Sequence, residues 1–292
     1  SDVYKRQMYN VANKRTFLGV AMAMLLFSCG GKNTDTERAE AIVNQADSAI
    51  TAGDYDLAVT LLDTLKSRYP REIKVQRGAM NLRPKAIEGQ TIRQIEITDS
   101  MLAASSHRRD SMMNYFSFVN NPELVEGYYV IKEYANSSLF NRTGVEARIT
   151  PEGEFYIISS LNAKPVKHTS LSLKNQAGEV STATVDYDGD RNYRSGGTEM
   201  ITFVGAECDT LGQFLTDNRG AATTLIFNGA KSYSTPLSKL DRKSIEQTYE
   251  MANVLTENRK LNLKRDFLDR QLQVARDQIA RTTQEPAADD KD

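Results

Sequence analysis

Hydrophobic periodicity switches twice along this chain, and that double switch limits the folds open to it. Over residues 73–121 apolar side chains recur near heptad spacing, with Ile95, Leu102 and Phe116 on one register and Ile92, Met112 and Val119 on another. Residues 122–236 alternate with period two. After Thr235-Pro236 the helical period returns, carried by Ile245, Tyr249, Ala252, Leu255, Leu268, Leu272, Ala275 and Ile279. Ser238 and Asp241 are the candidate N-caps of this second helix, 237–282. Each helix is about 40 residues and so roughly 60 Å long at 1.5 Å per residue. The economical arrangement is an α+β fold in which long coiled-coil-like helices pair antiparallel as a stalk and carry a β domain at the far end. Arg109, Asn258 and Arg259 interrupt the apolar stripe, so packing on the β domain or on a partner is the competing arrangement.

The β segment reads as about eight strands. They are Glu126 to Tyr134, Val145 to Thr150, Glu154 to Ser160, Ser170 to Lys174, Val180 to Tyr187, Glu199 to Gly205, Thr223 to Asn228 and Lys231 to Ser234. Val, Ile, Thr, Tyr and Phe are dense in them. Pro151-Glu152-Gly153 and Gln176-Ala177-Gly178 mark turns, and Asn228-Gly229 points to a two-residue type I′ hairpin. Asp209 is placed to cap a short helix through Leu215. Such a strand density implies an antiparallel β-sandwich or a small barrel.

Ahead of these elements, residues 39–72 read AEAIVNQADSAITAGDYDLAVTLLDTLKSRYPRE. Ala46 and Ala58 take the small-residue places, Gly53-Asp54-Tyr55 the turn, and Leu62, Leu65 and Pro70 follow in register. This helical hairpin resembles one tetratricopeptide repeat. Ala49 stands where an aromatic is usual, and no second copy follows. The resemblance implies a peptide-binding groove; the competing reading is a hairpin that packs on its own chain.

The N-terminal segment reads as an address. Ser1 to Gln7 (SDVYKRQ) precede the first methionine, Met8, resemble translated adapter sequence, and are set aside. Residues 8–28 have the form of a signal peptide: Lys14 and Arg15 are followed by an apolar run from Phe17 to Phe27, too short to span a bilayer. The run ends in Leu26-Phe27-Ser28-Cys29-Gly30, which resembles the lipobox of bacterial lipoproteins. The resemblance implies cleavage before Cys29 and lipidation of its sulfur. Gly30, rather than Asp, follows the cysteine, which favours the outer membrane. Residues 29–38 then form a tether without an early acidic cluster, which points to the periplasmic face. Residues 283–292 read as a disordered acidic tail.

Charge narrows the partners. The formal net charge is -1, with 37 Lys+Arg against 38 Asp+Glu. A nucleic-acid binder needs a basic face to release counterions, so no nucleic-acid partner is expected. Two cysteines and two histidines make neither a disulfide framework nor a zinc site. Cys208 has no neighbouring cation to activate it and reads as a structural thiol. No catalytic set, cofactor motif or metal-ligand spacing emerges. Asp186, Asp188 and Asp190 alternate as in a calcium loop, but Arg191 and Gly197 stand where an EF-hand requires Gly and Glu, so the segment reads as a turn. Arg191, Tyr193 and Arg194 in the polar, glycine-rich loop 191–197 are the candidate ligand residues, for a carboxylate or a glycan. His107 reads as solvated, and His168 as a lone residue opening a strand.

One further pattern recurs. Asp followed by Ser or Thr and then Ala, Ile, Leu, Val, Met or Thr places Ser48, Thr64, Ser100, Ser111 and Thr210 in motifs that resemble the O-glycosylation sequon of Bacteroidota. Composition alone predicts about one such match. The bland reading is that Asp and Ser share exposed helix faces.

Taken together, the lipobox and the helix–β–helix order resemble a class of Bacteroidota lipoproteins without an assigned activity. The resemblance implies a lipid-anchored envelope protein, and the expected role is a non-enzymatic interaction or scaffold protein whose β domain meets an envelope protein or glycan. A periplasmic adaptor or chaperone-like homo-oligomer is the first alternative. A hydrolase or glycan-processing enzyme is the second, and the absence of clustered carboxylates or of a paired His and nucleophile would exclude it.

Overall fold

The computed structural model describes residues 33–120 and 127–284. The expected signal peptide, Cys29, and the tail beyond Gln284 lie outside the described residues. Helix α1 (Asn33–Thr51) begins inside the expected tether, and α2 (Tyr55–Arg68), α3 (Ile73–Gly78) and α4 (Leu82–Met113) follow. Ten strands come next: β1 (Phe116–Val119), β2 (Tyr128–Ile131), β3 (Gly144–Ile149), β4 (Phe155–Asn162), β5 (Ser170–Asn175), β6 (Gly178–Ser181), β7 (Asn192–Ser195), β8 (Thr198–Val204), β9 (Thr224–Asn228) and β10 (Ser232–Pro236). Helix α5 (Asp209–Asp217) falls between β8 and β9, and α6 (Lys239–Gln284) closes the described chain. The described residues divide into two compact units, one of residues 33–90 together with 273–284, the other of residues 91–120 and 127–272.

The first unit contains the expected hairpin. Gly53 takes the positive φ of 75° that the turn between α1 and α2 needs, and the Asp54 carboxylate accepts the Leu57 N–H at the start of α2. Ala39, Ala46, Leu62, Leu65, Ala79 and Leu82 form its core, and Ala49, Ala58 and Ala86 a smaller cluster. Small residues at these places let the helices approach closely. Gly89 shows the same effect, because a Cβ there would overlap the Tyr55 ring. Pro84 sits in the first turn of α4, where a missing N–H leaves no intrahelical bond unmade. The helical run expected over 73–121, with a kink or fresh start at Pro84, breaks at 79–81 and restarts at Leu82.

That helix also ends early, at Met113. Phe116 and Val119 fit a helical stripe by spacing, yet they lie in β1, which pairs antiparallel with β2 from Phe116↔Ile131 to Val119↔Tyr128. Tertiary pairing overrides the local period, and Phe116 is buried while Phe118 is exposed. The second unit is a β-sandwich of two open antiparallel sheets, ordered β1-β2-β3-β4-β8-β7 and β10-β9-β5-β6. Neither sheet closes on itself, which decides between sandwich and barrel. Val145, Ala147, Ile157, Ile201 and Phe203 of the larger sheet share one core with Leu171, Leu173, Leu225 and Phe227 of the smaller.

Three local expectations change. Residues 192–195, read as loop, form edge strand β7. The β9–β10 connection is a three-residue loop, since Asn228 pairs with Ser232 and Gly229 has no positive φ. Glycine is needed there for space, because a Cβ would stand 2.3 Å from the Lys167 carbonyl oxygen. Asp209 is the first residue of α5 rather than its cap.

Helix α6 does two things within the sandwich unit. Its cap is Ser238, whose hydroxyl accepts the Asp241 N–H at 3.0 Å. Asp241 itself is buried and turned to the sheet: its carboxylate accepts Arg142 Nη1 at 2.8 Å, the Val145 N–H at 3.3 Å and the Tyr134 hydroxyl. One turn on, Ser244 Oγ accepts the Ala147 N–H at 3.0 Å. The helix thereby covers the edge of β3 that β2 meets only at Tyr129↔Ile149. Further along, α6 pairs antiparallel with α4, where Asn258 bonds Ser105 and Ser106 and Arg265 bonds Asp99.

Candidate functional site

The inward phase of β4 reads Phe155, Ile157, Ser159, Leu161, and that of β8 reads Glu199, Ile201, Phe203. A hydroxyl and a carboxylate therefore stand among apolar neighbours, where an unpaired polar group is costly. His168, just before β5, resolves both. Its Nε2 lies 2.9 Å from Ser159 Oγ, and its Nδ1 lies 3.0 Å from Glu199 Oε2. The expectation of a lone His168 is thus corrected: it joins a Ser–His–Glu array that bridges the two sheets.

The backbone is shaped for this contact. Lys167 has φ 55°, the one positive-φ non-glycine among the described residues. That turn aims two successive N–H groups at Glu199, from Lys167 at 2.8 Å and His168 at 3.0 Å. Burial pushes the Glu199 carboxyl up, but the His168 side chain and these two N–H donors outweigh it and hold it below the usual carboxylate range. An ionised Glu199 accepts from Nδ1–H, which assigns Nε2 as acceptor for the Ser159 hydroxyl. Burial also pushes His168 below its ordinary value, against the pull of Glu199 and with Arg194 adding to the depression. The ring stays neutral and packs edge-on to Phe227 at 5.2 Å.

This is the connectivity of a nucleophile, base and orienting acid. Its exposure is not that of an active site: Ser159 and His168 are 0% exposed and Glu199 2%. Local sequence could not reveal the array, because its members sit on three elements; the signal was polar residues on the buried phase of two strands.

The expected ligand loop is only partly open. Arg191 Nη1 bonds both carboxylate oxygens of Glu207, at 3.0 and 2.8 Å. Arg194 Nη2 donates to the His168 carbonyl at 2.9 Å and lies 4.3 Å from the Tyr187 ring centroid. Tyr193 is exposed and faces exposed Phe140 at 5.6 Å. Asp188 accepts the Asp190 N–H at 2.9 Å, a local turn bond, and no group of residues able to hold a metal occurs among the described residues.

All five expected glycosylation residues lie on helices. Ser48, Ser100, Ser111 and Thr210 are exposed and Thr64 is half-buried. Ser48, Thr64 and Thr210 already donate to carbonyls of Asn44, Thr60 and Ser181. Cys208 is buried, its thiol pushed up by burial and by Asp209, as a structural thiol should be. His107 is exposed. No family model matches the chain, and no curated protein or solved structure matches it.

Proposed function

We propose that this chain is a lipid-anchored envelope protein, attached through Cys29 to the outer membrane on its periplasmic face, that acts as a non-enzymatic interaction or scaffold protein. The β-sandwich supplies the recognition surface for an envelope protein or glycan. The observation that carries this reading is the Phe140–Tyr193 pair beside edge strand β7, two solvent-facing rings next to Arg191 and Arg194, which are engaged by Glu207 and the His168 carbonyl. In-cell crosslinking followed by mass spectrometry tests it. Wild type captures a partner that a Phe140→Ser, Tyr193→Ser double variant loses; an identical capture set for both proteins refutes the surface.

The hydrolase reading draws on Ser159–His168–Glu199. It predicts covalent labelling of Ser159 by a fluorophosphonate at neutral pH. Sealing of the hydroxyl between the sheets favours the interaction reading, since a nucleophile must reach its substrate.

A further inference from the structure

Helix α6 has two unlike faces. One is buried at Asn258, Leu261, Leu268 and Ala275, and the charges beside it find acids on α4, Arg265 with Asp99 at 2.7 Å and Arg276 with Glu88 at 3.0 Å. The opposite face returns every three or four residues as Lys260, Leu263, Phe267, Arg270, Val274 and Asp277, all exposed. Leu263 is 60%, Phe267 57% and Val274 55% exposed. A single exposed apolar side chain is ordinary, but three in register on one helix face form a stripe that the chain leaves uncovered. Lys260 and Asp277, which end the stripe, have no ion-pair partner within 4.0 Å among the described residues.

The order of residues along this stripe is complementary to itself. Laid against an antiparallel copy, Leu263 meets Val274, Phe267 meets Arg270 and Lys260 meets Asp277, each pairing occurring twice about a two-fold axis. The first is an apolar contact, the second sets a guanidinium on an aromatic ring, and the third joins opposite charges. On the flanks Glu257, Lys264 and Asp266 each meet a glutamine of the other copy, so no like charges oppose. Other alignments lack this match. A parallel pairing sets Lys260, Arg270 and Asp277 each against itself. A slip of seven residues brings Lys260 onto Arg270 in one direction and Phe267 onto Asp277 in the other.

We infer that this face of α6 is a self-association surface, on which a second copy of the chain docks antiparallel over residues 260–277 to give a two-fold dimer. The charge pattern selects both the occupant and its register, since the stripe complements its own reverse. The seam is about 27 Å long at 1.5 Å per residue. One helix pair of that length is a small interface, so the dimer depends on concentration. The inference does not rest on the aromatic surface proposed above.

Sedimentation velocity of the full chain over a concentration series tests it. Wild type is expected to pass from monomer to dimer as concentration rises, and Phe267→Glu to stay monomeric with an unchanged circular dichroism spectrum. Lys260→Glu and Asp277→Lys should each weaken the dimer about tenfold. Combining the two restores opposite charges across the seam and should return the wild-type profile, which a purely structural role for either residue would not do. A monomer throughout the series assigns the stripe to a different protein and overturns the proposal. So does a dimer that is indifferent to Phe267→Glu, or one that the combined charge exchange fails to rescue.

Discussion

At the scale of single residues, His168 makes the sandwich sensitive to acid. A histidine held below its ordinary value binds fewer protons when folded than when unfolded. Between the folded value and about 6.5, the unfolded chain takes up the extra proton, so stability falls as pH drops through that window. Glu199, also held low, contributes in the same direction: its stabilisation is present above the ordinary carboxylate value and is lost as pH falls below it. Burial sets the sign; of the groups facing the ring, Glu199 favours the imidazolium and Arg194 opposes it. We expect the urea midpoint to fall between pH 7.5 and pH 5.5, and His168→Gln to lower the midpoint at neutral pH while flattening that dependence. A wild-type midpoint constant across this range would contradict the assignment.

Among elements, the antiparallel pairing of α4 and α6 in the sandwich unit is set by a polar layer. Asn258 is 5% exposed, donates to Ser105 Oγ at 2.5 Å and accepts from Ser106 Oγ at 3.0 Å. A buried amide with matched partners penalises every other register. Asn258→Ala strands Ser105 and should cost about 1–3 kcal/mol of unfolding free energy. Asn258→Leu should recover most of that loss yet relax the pairing, so light scattering would show species beyond those of wild type. Equal stability of the alanine variant and wild type would remove the layer from the account.

The same scale shows what a sequence can and cannot disclose. The α1–α2 hairpin was legible because its signals are local: Ala46 and Ala58 at the crossing, Gly53 in the turn, Asp54 at the cap. Helix α6 was legible from its apolar recurrence, and most strands from their alternation. β1 was not, because Phe116 and Val119 satisfy a helical spacing and only pairing with β2 decides otherwise. β7 was not, because four residues running into Gly196-Gly197 carry too short a pattern. The Ser159–His168–Glu199 array needed the sheet order, which places β4 beside β8 and brings the start of β5 across the core. Asp241 looked like a cap for the same reason: its partners Tyr134, Arg142 and Val145 are remote in sequence.

For the molecule as a whole, attachment rests on the proposed lipid at Cys29, four residues before α1 begins. No helix among the described residues is long and apolar enough to cross a membrane. Acyl chains supply about 0.8 kcal/mol per buried methylene, so two or more chains suffice for durable anchoring. Labelled palmitate should be incorporated by wild type and not by Cys29→Ser, and the variant should move from the membrane to the soluble fraction. Unchanged fractionation would end the lipoprotein reading.

Helix α6 also settles where this protein can be cut. Asp241 and Ser244 occupy amide groups of β3 that would otherwise solicit a strand from any passing chain. A fragment trimmed after Pro236 would keep every strand and still lack its guard. It would be expected to recruit neighbours into ribbons and drop out of solution, so recombinant versions of the sandwich should be carried through the first turns of the closing helix.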